Sequence, residues 1–103
     1  MLRGTLKPKL TPARKAWLEK LFYQGVASRG FMHAIAARHC MQLGWTEWAW
    51  MDSETGHPIT LEEAKEKYGW PDKHAVYDKI VNEGERLTEL GRTILLSRKA
   101  EGK

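Results

Sequence analysis

Arg29, His33 and Arg38 recur along a segment of helical period, and four more cations, Lys7, Lys9, Arg14 and Lys15, come before them. A guanidinium presents a planar fork of donors to a guanine edge or a phosphate. Lysine ammonium groups hold phosphates without reading sequence. Together these residue types can recognise a polyanion, and a nucleic acid is one polyanion they would suit. Gln42 could read adenine in principle, but it stands at the far end of the same segment.

Other chemistries find less material. His33 and Cys40 lie two helical turns apart with His39 rotated off their line, and His57 and His74 fall in separate segments without ligand-pair spacing. A zinc site and a metal cofactor are therefore not expected. Glu62, Glu63 and Glu66 form a carboxylate group, yet a capping box and a solvated helix face account for them. There is no nucleophile with a base at recognisable spacing and no phosphate-cradling glycine loop. A non-enzymatic protein with no cofactor is expected.

The 103 residues suit one domain, and five Trp, three Tyr and two Phe give it core material. The single cysteine, Cys40, excludes an intramolecular disulfide. The longest aliphatic run is Ile94, Leu95 and Leu96, and Met1 to Gly4 lead into Lys7, Pro8 and Lys9. Neither a membrane span nor a secretory signal is read, and a cytoplasmic location with no membrane partner is expected.

The net charge of +4 hides a sorting along the chain. Residues 1 to 44 carry eight Lys or Arg and one acid, residues 45 to 85 carry four Lys and ten acids, and residues 86 to 103 carry five bases and two acids. A basic half attracts phosphates through counterion release, while an acidic stretch is repelled by them. Any nucleic acid should therefore face the first half.

The elements that must position these groups can be read from caps and period. Residues 1–10 read as an irregular basic arm, and residues 11–103 as one domain. Thr11 and Pro12 start a helix that runs to Gln24 and stops at Gly25. Its apolar face is Ala13, Trp17, Leu18, Leu21 and Phe22. A second helix is predicted from Gly30 to Leu43, with Met32, Ile35, Ala36, Cys40 and Leu43 inward. After Gly44, the segment Trp45–Met51 reads as a strand. Its alternation sets Trp48 and Trp50 against Trp45, so core packing outweighs a stacking platform for bases. Residues 52–58 form a turn, and Thr60 with Glu63 caps a helix ending near Tyr68 before Gly69 and Pro71. Residues 75–81 read as helix, Asn82–Gly84 as a turn, and Glu85–Leu87 as a short strand. Thr88 caps a last helix with Leu90, Ile94 and Leu95 inward and Arg92, Arg98 and Lys99 outward.

Gly44, Trp45, Thr46, Glu47 and Trp48 at a helix-to-strand junction, with Arg86, Leu87, Thr88, Glu89, Leu90, Gly91 and Arg92 later, resemble the winged helix-turn-helix family. The resemblance covers residues 11–51 and 85–98. It implies a mainly α fold with a small β-hairpin, a winged-helix-like three-helix core and a long acidic insertion, residues 52–84, between the wing strands. The segment from Gly25 to Arg29 leaves room for a turn where the family places a helix. The implied function is double-stranded DNA binding by a small transcriptional regulator or DNA-transaction accessory factor, with the second helix in the major groove. Contacts would come from Lys7, Lys9, Arg14, Lys15, Arg29, His33 and Arg38. The last helix of such domains can pair with a symmetry mate, which is compatible with a homodimer. The alternative is a non-enzymatic protein-interaction module or adaptor that uses the Trp-bearing strand and the 52–84 insertion to meet a protein partner.

Overall fold

The computed structural model describes residues 8–98. Its elements in chain order are α1 (Pro12–Gln24), α2 (Ala34–Gln42), β1 (Thr46–Asp52), β2 (Pro58–Ile59), α3 (Leu61–Tyr68), α4 (Lys73–Lys79), β3 (Ile80–Leu87) and α5 (Glu89–Ser97). The architecture is α/β: five helices around a three-stranded antiparallel sheet of order β2-β1-β3. A two-stranded hairpin was expected, and the sheet is larger because β2, from inside the acidic insertion, pairs with β1 at Trp50–Ile59 and Met51–Pro58.

The helix ends follow local chemistry. Thr11 Oγ1 accepts a hydrogen bond from the Arg14 amide at 3.2 Å, and Gly25, at φ +82°, donates to the Leu21 carbonyl. Thr60 and Glu63 make the full capping box: the Thr60 amide donates to Glu63 Oε1 at 2.9 Å and the Glu63 amide to Thr60 Oγ1 at 3.2 Å. That amide of Thr60 is the main reason the Glu63 carboxyl titrates below its usual value. Thr88 Oγ1 accepts from the Gly91 amide and donates to the Gly44 carbonyl, tying the start of α5 to the end of the α2 segment.

Two cores result. The larger gathers Leu10, Trp17, Leu18, Leu21, Ala37, Cys40, Trp45, Leu87 and Leu95, so α1, α2 and α5 close around the sheet. Leu10, the last residue of the expected irregular arm, is fully buried there, while residues 1–7 of that arm lie outside the described residues. The smaller core, Ile59, Ala64, Val76 and Ile80 with Trp50, Leu61 and Tyr68 against it, belongs to the insertion. The two helices expected within residues 52–84 are present as α3 and α4, and with β2 they pack on the sheet around this second core.

Three further expectations change. The second helix begins at Ala34, because Gly30 takes φ +58° and residues 30–33 form a turn. Its inward face is Ala37 and Cys40 rather than Met32 and Ile35, which stand 91% and 65% exposed. The helix read over 75–81 is α4, which ends at Lys79, and the strand begins at Ile80. Asn82–Gly84 is not a turn but part of β3, irregular at Asn82 with φ +54° and accompanied by a register shift opposite Ala49–Met51. On α5, Leu90 is half-exposed, and Gly91 takes the buried place: a Cβ there would lie 1.9 Å from the Trp45 carbonyl oxygen. Leu90 and Leu96 are both exposed on α5, but their spacing of six residues sets them on different flanks, so they make no single apolar seam.

Asp52 closes β1 and is buried. It accepts from Lys67 Nζ at 2.5 Å, from the Tyr68 hydroxyl and from the Glu54 amide at 3.0 Å. The Lys67 hydrogen bond, followed by that of Tyr68, holds the Asp52 carboxyl far below the usual carboxylate range, and the Asp52 bond in turn raises the Lys67 ammonium. A carboxyl depressed in the folded state stabilises it above the unfolded pKa, and that contribution disappears as pH falls toward the folded pKa. Stability measured by urea midpoint should therefore hold above about pH 5 and drop below about pH 4. Asp52→Asn should lower the neutral-pH midpoint and flatten that acid drop; a drop of unchanged size in the variant would contradict the assignment.

Candidate nucleic-acid interface

The expected contact residues divide into those the fold uses internally and those it leaves available. Lys7 lies outside the described residues. Lys9 is exposed, and its backbone carbonyl accepts from Arg14 Nη1 at 2.7 Å. Arg14 also places Nη2 at 3.2 Å from His39 Nδ1, so it fastens the first turn of α1 to α2 and to the chain before it. Lys15 is half-buried on α1. His33, half-buried just before α2, sets its ring 5.2 Å from the Trp17 ring. Arg38 is exposed on α2.

Arg29 is the clearest departure from expectation. Its Nε and Nη2 donate to Glu85 Oε2 at 2.7 and 2.6 Å, and its guanidinium carbon sits 5.3 Å from the Trp48 ring centroid. Glu85 is fully buried on β3, and its Oε1 accepts from Thr46 Oγ1 at 3.0 Å. A buried carboxylate needs a paired cation and satisfied lone pairs. Arg29 therefore neutralises the interior and locks the turn after α1, where Ala27 bridges to Glu85, onto the sheet.

Sequence reasoning passed over Lys20, 6.0 Å from the Trp17 ring, and Phe31, 99% exposed in the turn before α2. Lys20 was legible as a cation on α1, whereas the exposure of Phe31 depends on where α2 starts. Glu85 had a signal: it shares strand parity with Leu87, which a solvated glutamate should not.

The charge balance of the two halves differs in kind. Around the sheet and α3, cations are used internally: Lys67 with Asp52 and Glu54, Lys79 with Glu54, Lys65 with Glu62, and Arg86 with Glu47 and Glu63. Among the described residues, Lys9, Arg14, Lys15, Lys20 and Arg38 form no ion pair. The α1–α2 side thus keeps positive charge that the fold does not cancel.

The remaining reactive groups are placed for packing. Cys40 is fully buried, and burial pushes its thiol up to about 12. Iodoacetamide at pH 7.5 should label Cys40 rapidly in urea and hardly at all in the native protein; equal rates would show that the main core does not cover the thiol. Among the described residues, no group of three or more His, Cys, Asp or Glu is arranged to hold a metal ion, and no helix is long and apolar enough to cross a membrane. Compared with known protein families, curated proteins and solved structures, the chain matches none.

Proposed function

We propose that this domain binds double-stranded DNA through α1, the 30–33 turn and α2, in the manner of a winged-helix-like regulator or DNA-transaction accessory factor. The observation that carries this reading is the set of cations on and before α1 and on α2 without acidic partners among the described residues, beside a second half where Lys65, Lys67, Lys79 and Arg86 pair with carboxylates. Such a surface gains by releasing counterions from a phosphate backbone. Lys9, Lys15, Lys20 and Arg38 supply the phosphate contacts. Arg14 and His33 support that surface from beneath through His39 and Trp17. The exposed side chains of Phe31 and Met32 in the 30–33 turn and of Ile35 in the first turn of α2 suit apolar contact with thymine methyl groups. Arg29 has no direct part in this interface.

The test is anisotropy of a labelled random-sequence duplex titrated with protein at several salt concentrations. Four phosphate contacts give a log–log slope of about −3 to −4, and Arg38→Ala reduces its magnitude by about 0.9. A protein that leaves the duplex free at low salt overturns the reading.

A further inference from the structure

The acidic half carries a groove that the DNA reading does not use. It has a volume of about 470 Å³, within the range of ligand-holding clefts, and is built from β1, α3 and β3. Trp48, Trp50 and Leu61 give it apolar walls, and Glu47, Glu62 and Glu83 give it carboxylates. Trp48 is 53% exposed although it sits within the sheet. Arg86 neutralises Glu47 at 2.9 Å, but Glu62 is held only by Lys65 at 4.0 Å, and no cation pairs with Glu83 among the described residues. Two indoles with two available carboxylates form an environment for a cation that is also partly apolar.

One of these rings, Trp48, already has a guanidinium beside it. Trp48 and Glu83 line both this groove and an adjoining recess, and in that recess the Arg29 guanidinium lies 5.3 Å from the Trp48 ring. A guanidinium stacks on indole with less desolvation than an ammonium does. DNA is excluded as the occupant, since its phosphates would meet Glu62 and Glu83.

We propose that this groove docks a basic segment of a partner protein, with an arginine side chain seated against Trp48 and Trp50, answered by Glu62 and Glu83, and a neighbouring apolar side chain on Leu61. The proposal is independent of DNA binding, because α1 and α2 contribute no residue to the groove.

The experiment follows the indole N–H resonances of the ¹⁵N-labelled full chain during titration with a capped Gly-Leu-Arg-Leu-Gly peptide. A second titration uses the same peptide with citrulline, the uncharged isostere, in place of arginine. The Trp48 and Trp50 signals should shift saturably with the arginine peptide while those of buried Trp17 and Trp45 stay in place. The citrulline peptide should bind about five-fold more weakly, and Glu83→Gln should weaken the arginine peptide about three-fold. Equal responses to the two peptides, or no response to either, overturn the proposal. It is also overturned if raising the protein concentration alone moves the same resonances, since a second copy would then be the occupant.

Discussion

Trp17→Ala should lower the unfolding free energy by about 3–5 kcal/mol, read as a fall in the urea midpoint at unchanged slope. Trp17 is fully buried and, with Trp45, is one of the two largest side chains in the main core, where α1 meets α2 and the sheet. Removing it takes away both its apolar burial and the filling of the space between helices. For a domain with a typical 5–15 kcal/mol of stability, this is a large fraction. Among the described residues its indole N–H has no hydrogen-bond partner, which costs about 1–3 kcal/mol of desolvation. Trp17→Phe deletes that donor along with some volume, so it should cost less than half as much as the alanine. A midpoint for Trp17→Ala within error of the parent would mean that this ring is not the packing centre of α1. Because the same ring touches His33 and lies under Lys20, the alanine variant should also disturb the surface proposed for DNA.

Arg29→Ala should be almost as damaging, at about 3–5 kcal/mol, since it leaves Glu85 buried without a counter-charge. Arg29→Met combined with Glu85→Leu should fall within about 2 kcal/mol of the parent, because both charges leave the interior together. Thr46 then loses its acceptor, which keeps the recovery incomplete. A double variant as unstable as Arg29→Ala would show that the pair matters for something other than mutual neutralisation. At temperatures where Arg29→Ala remains folded, its affinity for duplex DNA should match the parent's within about two-fold, whereas Arg38→Ala binds more weakly at equal stability.

The difference between those two arginines marks what the sequence could and could not convey. Thr11 with Pro12, Thr60 with Glu63, and Thr88 announced three helix starts, because capping is a local reaction between a side chain and amides two or three residues on. Gly25 and Gly69 announced two ends for the same reason. Non-local pairing overrode local preference elsewhere. Asn82, Glu83 and Gly84 have turn chemistry, yet the β1 ladder draws them into a strand. Gly84 serves close approach there: a Cβ would lie 2.5 Å from the Ala27 carbonyl oxygen. In α2 the inward positions are the small Ala37 and Cys40, which let α1 come near, while Met32 and Ile35, expected to be core, stay outside and only Leu43 of the expected large residues packs against the core. The basic half was visible as composition. That Arg29 is committed and Arg38 available was not, because the deciding partner, Glu85, lies 56 residues from Arg29.

The central claim, that DNA meets the α1–α2 side, is tested most directly by mapping backbone amide shifts of the ¹⁵N-labelled chain on addition of a short duplex at low salt. Perturbations should concentrate in residues 9–20 and 31–42 and fade as salt is added, with α3 and α4 unmoved. Perturbations centred on α3 and α4, or none at all, would contradict it.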